Sequence, residues 1–458
     1  MPIATVNPAT GETEKTFEPH DAAEVERRLA LAASAFETLA ATTFAQRGEW
    51  MRAAADLLEA DLEPLAETLT REMGKPIAAA RAEVRKCARG MRFYADHAEG
   101  FLADEPLEEP SVVGASRAVA RYQPLGVVLA VMPWNYPLWQ VVRFAAPALM
   151  AGNTGVLKHA SNVPQSALYL DALFTRGGFP EGAFTTLLIG SADVKAVIED
   201  PRVRAVTLTG SEPAGRSVAS IAAAQVKKSV LELGGSDPFI VMPSADLDAA
   251  VATAVDARTV NNGQSCISAK RFLIHDAVYD EFVPRFTAAM AALRMGDPLA
   301  EETQVGPLAT PGGRDELAEL VDDARAKGAE ILTGGTTPDG PGWFYPPTVV
   351  AGVTPDMRLH LEETFGPVAT VFRVADVDEA IALANVTDFG LSSSVWTTDP
   401  AERDRFEREL EAGAVFVNGM TISHPELPFG GIKNSGFGRE LAAAGIREFC
   451  NLKTVWEA

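Results

Sequence analysis

Between Gly126 and Gly235, short runs rich in β-branched residues alternate with segments of helical spacing. The runs are Gly126–Met132, Thr154–Lys158, Thr185–Ile189, Ala205–Thr209 and Ser229–Leu233. That alternation is the pattern of a parallel α/β sheet of the dinucleotide-binding type. The pattern restarts after Gly235 with strand Phe239–Met242, helix Leu247–Thr259, strand Arg271–Ile274 and a helix near Val278–Leu293. A second α/β domain is therefore expected from about residue 235. The 458-residue length agrees, since it exceeds one ordinary core.

Upstream of Ser111 the chain reads as helix, with nothing that points to chemistry. Asp21 and Glu24 have the spacing of a capping box, and Val25, Leu29, Ala32, Phe36 and Leu39 recur every three or four residues. A second helix is expected over Phe44–Met73, ending at Gly74-Lys75-Pro76, and a third over Ile77–Ala98. Arg117–Tyr122 alternates as an extended segment does, and the tail Cys450–Glu457 reads as a short strand.

Charge and patterning exclude several classes of function. A net charge of −22 argues against nucleic acid or an anionic membrane as partner, since both need clustered positive charge. The most apolar stretch, Leu125–Met150, is broken by Pro133, Asn135, Pro137, Arg143 and Pro147, and falls short of the roughly 18 uninterrupted residues of a membrane span. Met1–Lys15 is too polar for a signal peptide, so a cytoplasmic protein is expected. The three cysteines, Cys87, Cys266 and Cys450, are too scattered for a disulfide framework or a zinc site, and no metal is expected.

Cys266 stands apart from the other two. It lies in Asn262–Lys270 (Asn-Gly-Gln-Ser-Cys-Ile-Ser-Ala-Lys), a loop of small residues through which a substrate carbon could reach the sulfur. A free cysteine is more often a buried small hydrophobe. Glu232, 34 positions upstream, ends the apolar run Val230–Leu233 and is followed by Gly234-Gly235. A strand-end glutamate commonly lies in solvent, but one projecting into a cleft has the raised pKa of a general base. Glycine- and proline-dense segments at Gly306-Pro307-Leu308, Trp343–Thr348, Glu362–Pro367, Val415–Gly419 and Pro428–Gly436 read as loops, where function often resides.

Seven motifs in order then make the chain resemble the aldehyde dehydrogenase superfamily over essentially its whole length. They are Pro133-Trp134-Asn135, Lys158, Gly210-Ser211, Glu232–Gly235, Gly263–Cys266, Glu363–Pro367 and Pro428–Gly431. The resemblance implies a Rossmann-type cofactor domain (1–113 and 132–234), an α/β catalytic domain (235–445), and a small β projection (114–131 and 446–458) that joins subunits into homodimers or homotetramers. It also implies that Cys266 attacks an aldehyde to give a thiohemiacetal and, after hydride loss, a thioester. Glu232 then activates the hydrolytic water, and the Asn135 amide and the Cys266 N–H hold the oxyanion.

Cofactor contacts are expected from Met132, Pro133, Trp134, Lys158, His159, Ser161, Gly210, Ser211, Leu233, Glu363 and Phe365. Thr207–Gly215 reads as strand, tight turn and helix start, where backbone amides hold a phosphate, although Gly-Ser-x-x-x-Gly departs from the commoner fingerprint. NAD-specific relatives often carry a glutamate three residues after this lysine. Here that place is Ser161, and a hydroxyl beside Lys158 and His159 accepts a 2′-phosphate that a carboxylate would repel. NADP is therefore the expected cofactor, with NAD weaker.

For the substrate, Arg143 follows Asn135 by eight positions. In the succinate semialdehyde dehydrogenases, which this chain resembles most, an arginine there holds the distal carboxylate and a serine at the place of Ser423 assists. A small aldehyde carrying a carboxylate is the expected substrate. Arg143 in a salt bridge, or another semialdehyde or aliphatic aldehyde as substrate, are the alternatives. A cysteine hydrolase would need a histidine base, and only His159 and His424 lie near these segments. Ser268, two residues after Cys266, leaves no local disulfide partner for the thiol.

Overall fold

The computed structural model describes residues 2–458. The five β-branched runs form strands Val127–Met132, Thr154–His159, Phe184–Thr186, Val203–Thr209 and Lys228–Glu232, all parallel to their neighbours. Val127–Met132 lies between Thr154–His159 and Val203–Thr209, so the chain winds outward from it in both directions. Crossover helices leave from the carboxyl ends of such strands towards opposite faces, and a crevice opens between them. Met132, His159, Thr209 and Glu232 all stand at those ends. The two-residue strand Gly436–Phe437 completes the sheet antiparallel to Lys228–Glu232, with Gly436 opposite Glu232.

A second, seven-stranded sheet is built around Pro238–Val241, Arg271–His275 and Val368–Val374. Alternation along each strand divides its side chains between two cores. Phe239, Val241, Phe272 and Ile274 pack on helices Leu247–Thr259 and Asp276–Ala291. Ile240 and Leu273 pack on the far side with Leu317, Leu320 and Ile381. Leu247–Thr259 keeps its expected bounds because Asp246 caps it, accepting from Ala249 N.

The third sheet holds the tail strand with the bounds read from the sequence. Cys450–Glu457 is a full eight-residue strand, paired antiparallel with Arg117–Pro124 from end to end, and Glu105–Pro106 adds a third strand. The range 114–131 holds two strands in two sheets: Arg117–Pro124 lies here, and Val127–Met132 in the parallel sheet. Leu452 and Trp456 on the tail strand are exposed.

The N-terminal quarter is helical apart from a hairpin of Ile3–Val6 and Thr13–Phe17. The expected single helix over Phe44–Met73 is two, Phe44–Ala60 and Leu62–Met73, broken at Asp61. Asp21 does cap its helix, but Glu24 pairs with Arg27 and Arg28 and leaves the reciprocal half of the capping box unmade. Among the described residues no helix is long and apolar enough to cross a membrane.

Candidate active site

The loop that carries Cys266 is held by left-handed backbone. Asn261, Asn262 and Gly263 have φ of +57°, +59° and +72° in succession. Asparagine tolerates this region better than other side chains, and glycine is free in it. A Cβ at Gly263 would also stand 2.4 Å from the Gly366 carbonyl carbon, so the Glu363–Pro367 loop closes over it. Asn262 staples three segments, donating to Gly74 O (2.9 Å) and Pro307 O (3.0 Å) and accepting from Gly306 N (2.8 Å). The Gly74-Lys75-Pro76 and Gly306-Pro307 breaks thus meet at one point behind the loop.

Cys266 itself is half-buried. Burial pushes its thiol up to about 12, opposed by the positive charges of Lys270 and Arg143. Lys270 is buried and donates to Ser265 O (2.9 Å) and Cys266 O (2.6 Å), and it pairs with Glu363 at 3.1 Å. Ser268 turns inward and donates to Ser265 O at 2.8 Å. Asn135 reaches the loop from the other side, its Nδ2 donating to Gln264 O at 3.0 Å. One Nδ2 hydrogen remains free, and the Cys266 N–H makes no hydrogen bond within the described residues.

Helix Trp139–Ala151 begins four residues after Asn135 and is buried throughout. Its N-terminus is capped from outside: Glu83 Oε1 accepts from Leu138 N and Trp139 N, both at 2.9 Å. A carboxylate is well placed at a helix N-terminus. The other Glu83 oxygen pairs with Lys75, which stands 4.4 Å over the Tyr136 ring.

Glu232 ends its strand 2% exposed, with neither carboxylate oxygen hydrogen-bonded. Burial raises its pKa well above the carboxylate range, and the nearby Glu440 charge raises it further, while Arg143 and Arg439 oppose. The turn after it is braced by the Pro428–Gly436 loop, as Leu233 N donates to Ser435 O (2.9 Å) and Ser435 Oγ to Gly234 O (2.7 Å). A Cβ at Gly234 would lie 2.4 Å from Glu363 Oε2, so only glycine lets that carboxylate pass.

A cavity of ≈ 690 Å³ joins these pieces. Of the residues singled out in the sequence, Pro133, Trp134, Asn135, Gly210, Ser211, Leu233, Cys266, Glu363 and Phe365 line it. Trp134 and Phe365 meet edge to face at 5.7 Å. Helix Glu212–Ala224 points its N-terminus at the cavity, and the hydroxyl of its N-cap, Ser211, makes no capping bond. Open N–H groups at a helix start, a free hydroxyl and two aromatic rings suit a dinucleotide.

Met132, Lys158, His159, Ser161, Glu232, Arg143 and Ser423 stand behind or beside that wall. Lys158 is buried at its strand end, has no ion-pair partner among the described residues, and has its pKa lowered by burial. His159 is a correction. Its Nε2 bonds Pro137 O at 2.8 Å and its Nδ1 accepts from Ala160 N at 2.9 Å, so the ring is a strut between main-chain segments and is not free for a phosphate. Burial lowers it to about 4, which keeps it neutral.

Arg143 makes the salt bridge named above as its alternative. It is 3% exposed, paired by charge with Glu440, and stands 4.6 Å over the Phe429 ring with Nη2 3.4 Å from Thr209 Oγ1. Its guanidinium meets an internal acid, and its charge also acts on the Cys266 thiol. Sequence reasoning missed Glu440, 297 positions away, as well as Lys270. Only Asn261-Asn262-Gly263 had a local signal, a residue run favouring left-handed backbone.

The sequence pattern of the aldehyde dehydrogenase family matches residues 1–455. A protein of Mycobacterium avium (strain 104) named succinate-semialdehyde dehydrogenase (NADP(+)) is 64% identical over 457 residues, covering 100% of this chain and 97% of its own. A Mycobacterium tuberculosis protein named succinate-semialdehyde dehydrogenase (NADP(+)) 1 is 63% identical over the full length of both. The crystal structure of succinic semialdehyde dehydrogenase from Streptococcus pyogenes in complex with NADP+ superposes with a TM-score of 0.96 at 36% identity, covering 99% of each chain. The chain belongs to the aldehyde dehydrogenase family.

Proposed function

We propose that this enzyme oxidises succinate semialdehyde to succinate with NADP+, through a covalent adduct on Cys266. The observation that carries the reading is the pairing of a half-buried thiol, flanked by two free N–H donors, with a fully buried carboxylate whose oxygens have no partner. The names of the mycobacterial relatives and of the Streptococcus pyogenes protein support the substrate and cofactor.

In this mechanism the Cys266 thiolate adds to the aldehyde carbon, and Asn135 Nδ2 and the Cys266 N–H receive the oxyanion. Bound NADP+ supplies the hydride acceptor. Loss of hydride leaves a thioester on Cys266. Glu232, once ionised, takes a proton from water, which attacks that carbonyl and frees the acid and the thiol. The high pKa of Glu232 is what gives its carboxylate the basicity for this step, provided the pH lets it ionise. Gly210, Ser211 and the start of helix Glu212–Ala224 would hold the cofactor phosphates, with Glu363 at the ribose and Trp134 and Phe365 by the ring. Lys158 and Ser161 supply a cation and a hydroxyl, without a carboxylate, for a 2′-phosphate.

The three sheets support a division into a cofactor part, a catalytic part and a β projection. The exposed tail strand, with Leu452 and Trp456, is the edge through which we expect subunits to pair. Initial rates of NADPH and NADH formation with succinate semialdehyde and with butanal test the whole reading. Preference for NADP+ and for the charged aldehyde is the expected result. Equal rates with butanal would remove the substrate while leaving the chemistry.

A further inference from the structure

We infer that Lys270 is a positioning residue for the reaction: its buried ammonium fixes the Glu363 carboxylate for the cofactor and holds a positive charge against the nucleophile loop. The inference rests on the proposed roles of Cys266 and Glu363. Lys270 immediately precedes Arg271–His275, the middle strand of the seven-stranded sheet, and its main chain is locked there. Its N–H donates to Asp237 O (3.0 Å), and its carbonyl accepts from Thr370 N (3.0 Å) and Thr370 Oγ1 (3.1 Å). The sheet thereby sets where the side chain starts, and the side chain reaches back to the Cys266 loop.

Three acceptors meet the ammonium, and they belong to two parts of the site. Ser265 O and Cys266 O accept at 2.9 and 2.6 Å, and Glu363 Oε1 stands at 3.1 Å. Oε1 also accepts from Gly235 N at 3.2 Å. With Oε1 held between Lys270 and the turn after Glu232, Oε2 lies against Gly234, and both residues line the cavity. No other cation among the described residues pairs with Glu363. Arg258, also buried, donates instead to Ala269 O, Gly263 O and Ser268 Oγ. A lysine only 1% exposed is costly unless its donors are met, so these acceptors hold it in one geometry.

The same ammonium bears on the thiol. The thiolate is the reactive form, and burial works against it. Around Cys266, Lys270 and Arg143 favour the thiolate, while Glu363 and Asp237 oppose it. Asp237 accepts from Ser392 N at 3.1 Å, and burial pushes it up to about 7. Burial also raises the Tyr136 phenol, the remaining titratable neighbour. Arg143 is matched by Glu440. Lys270 is the one cation bonded to the cysteine itself, through the Cys266 carbonyl. A neutral side chain in its place would leave Arg143 as the only cation favouring the thiolate and would leave Glu363 Oε1 to Gly235 N alone.

The test compares wild type, Lys270→Met and Lys270→Gln as full-length enzymes, with melting curves. Calorimetric titration reads the Kd for NADP+. The thiol is read without cofactor, as the rates at which anionic iodoacetate and neutral iodoacetamide alkylate Cys266, with the modified peptide identified by mass spectrometry. In Lys270→Met the Kd is expected to rise about tenfold. Iodoacetamide alkylation at pH 8 should slow about tenfold, and the iodoacetate-to-iodoacetamide ratio should fall about threefold, since a positive charge has left the thiol. Lys270→Gln keeps a donor without the charge, so it should lower the ratio as far with a smaller rise in Kd. Equal slowing of both reagents, the mark of a merely distorted loop, or an unchanged Kd would overturn the joint role. Glu363→Gln that binds NADP+ as wild type does, or Cys266→Ser that keeps dehydrogenase activity, would overturn the proposed site, and the role of Lys270 with it. Should Lys270→Met fail to fold, Lys270→Gln decides through the same two readouts.

Discussion

Two buried ion pairs touch helix Trp139–Ala151, and they are built in opposite ways. In Lys75–Glu83 every oxygen is used: one accepts from two helix N–H groups and the other faces the lysine, which also covers an aromatic ring. In Arg143–Glu440 the arginine Nε meets one Glu440 oxygen and the other has no donor, nor has either oxygen of Glu232 beside them. A satisfied buried network stabilises and orients a structure. An unsatisfied one leaves acids with displaced pKa values, which is what catalysis uses. Here one network positions the helix that follows Asn135, and the other sets the protonation of the base.

The sharpest way to separate them is at the base. Glu232→Gln should cost about a thousandfold in steady-state rate, while stopped-flow should still record a burst of NADPH close to one equivalent. A lost burst would give Glu232 a part in the attack as well. The melting temperature should hold or rise, since the substitution removes a buried, unsatisfied acid.

Glu83→Gln should behave in the reverse manner. Breaking a buried pair and a helix cap together should cost about 3 kcal/mol or more in denaturant unfolding, with activity per folded molecule much less affected. If stability holds while kcat falls, the two networks are not divided as described.

Arg143→Met tests the join between them. It leaves Glu440 and Glu232 as neighbouring acids without their cation, so both pKa values should climb and rates with succinate semialdehyde and butanal should fall together, by about tenfold. A loss confined to the charged aldehyde would return Arg143 to the substrate.

The smallest effect should be a shift of pH profile. Glu232 acts only when ionised, so kcat rises with pH through its raised pKa. Glu440→Gln removes a negative charge that raises it, and the acidic limb should move to lower pH. Stability should run in the opposite direction. An acid raised by folding stabilises the native state below its ordinary value of 4.5 and loses that contribution as pH rises through the folded value. Glu232→Gln should flatten that decline.

The local features were legible before any coordinates. The period-two and period-3.6 patterns gave the two parallel sheets and the bounds of helix Leu247–Thr259, because hydrogen bonds and side-chain facing within an element depend on residues a few places apart. Cys266 and Glu232 stood out for the same reason, each set in glycine-rich turns that a packed core does not need. What the tertiary structure alone decided is which partner each charged side chain meets. His159 was assigned to the cofactor and Arg143 left between substrate and salt bridge from their neighbours in sequence, and the Pro137 carbonyl and Glu440 meet them from other segments. Charge and proton affinity depend on burial and on the nearest opposite charge, and both are set by folding, not by the order of residues.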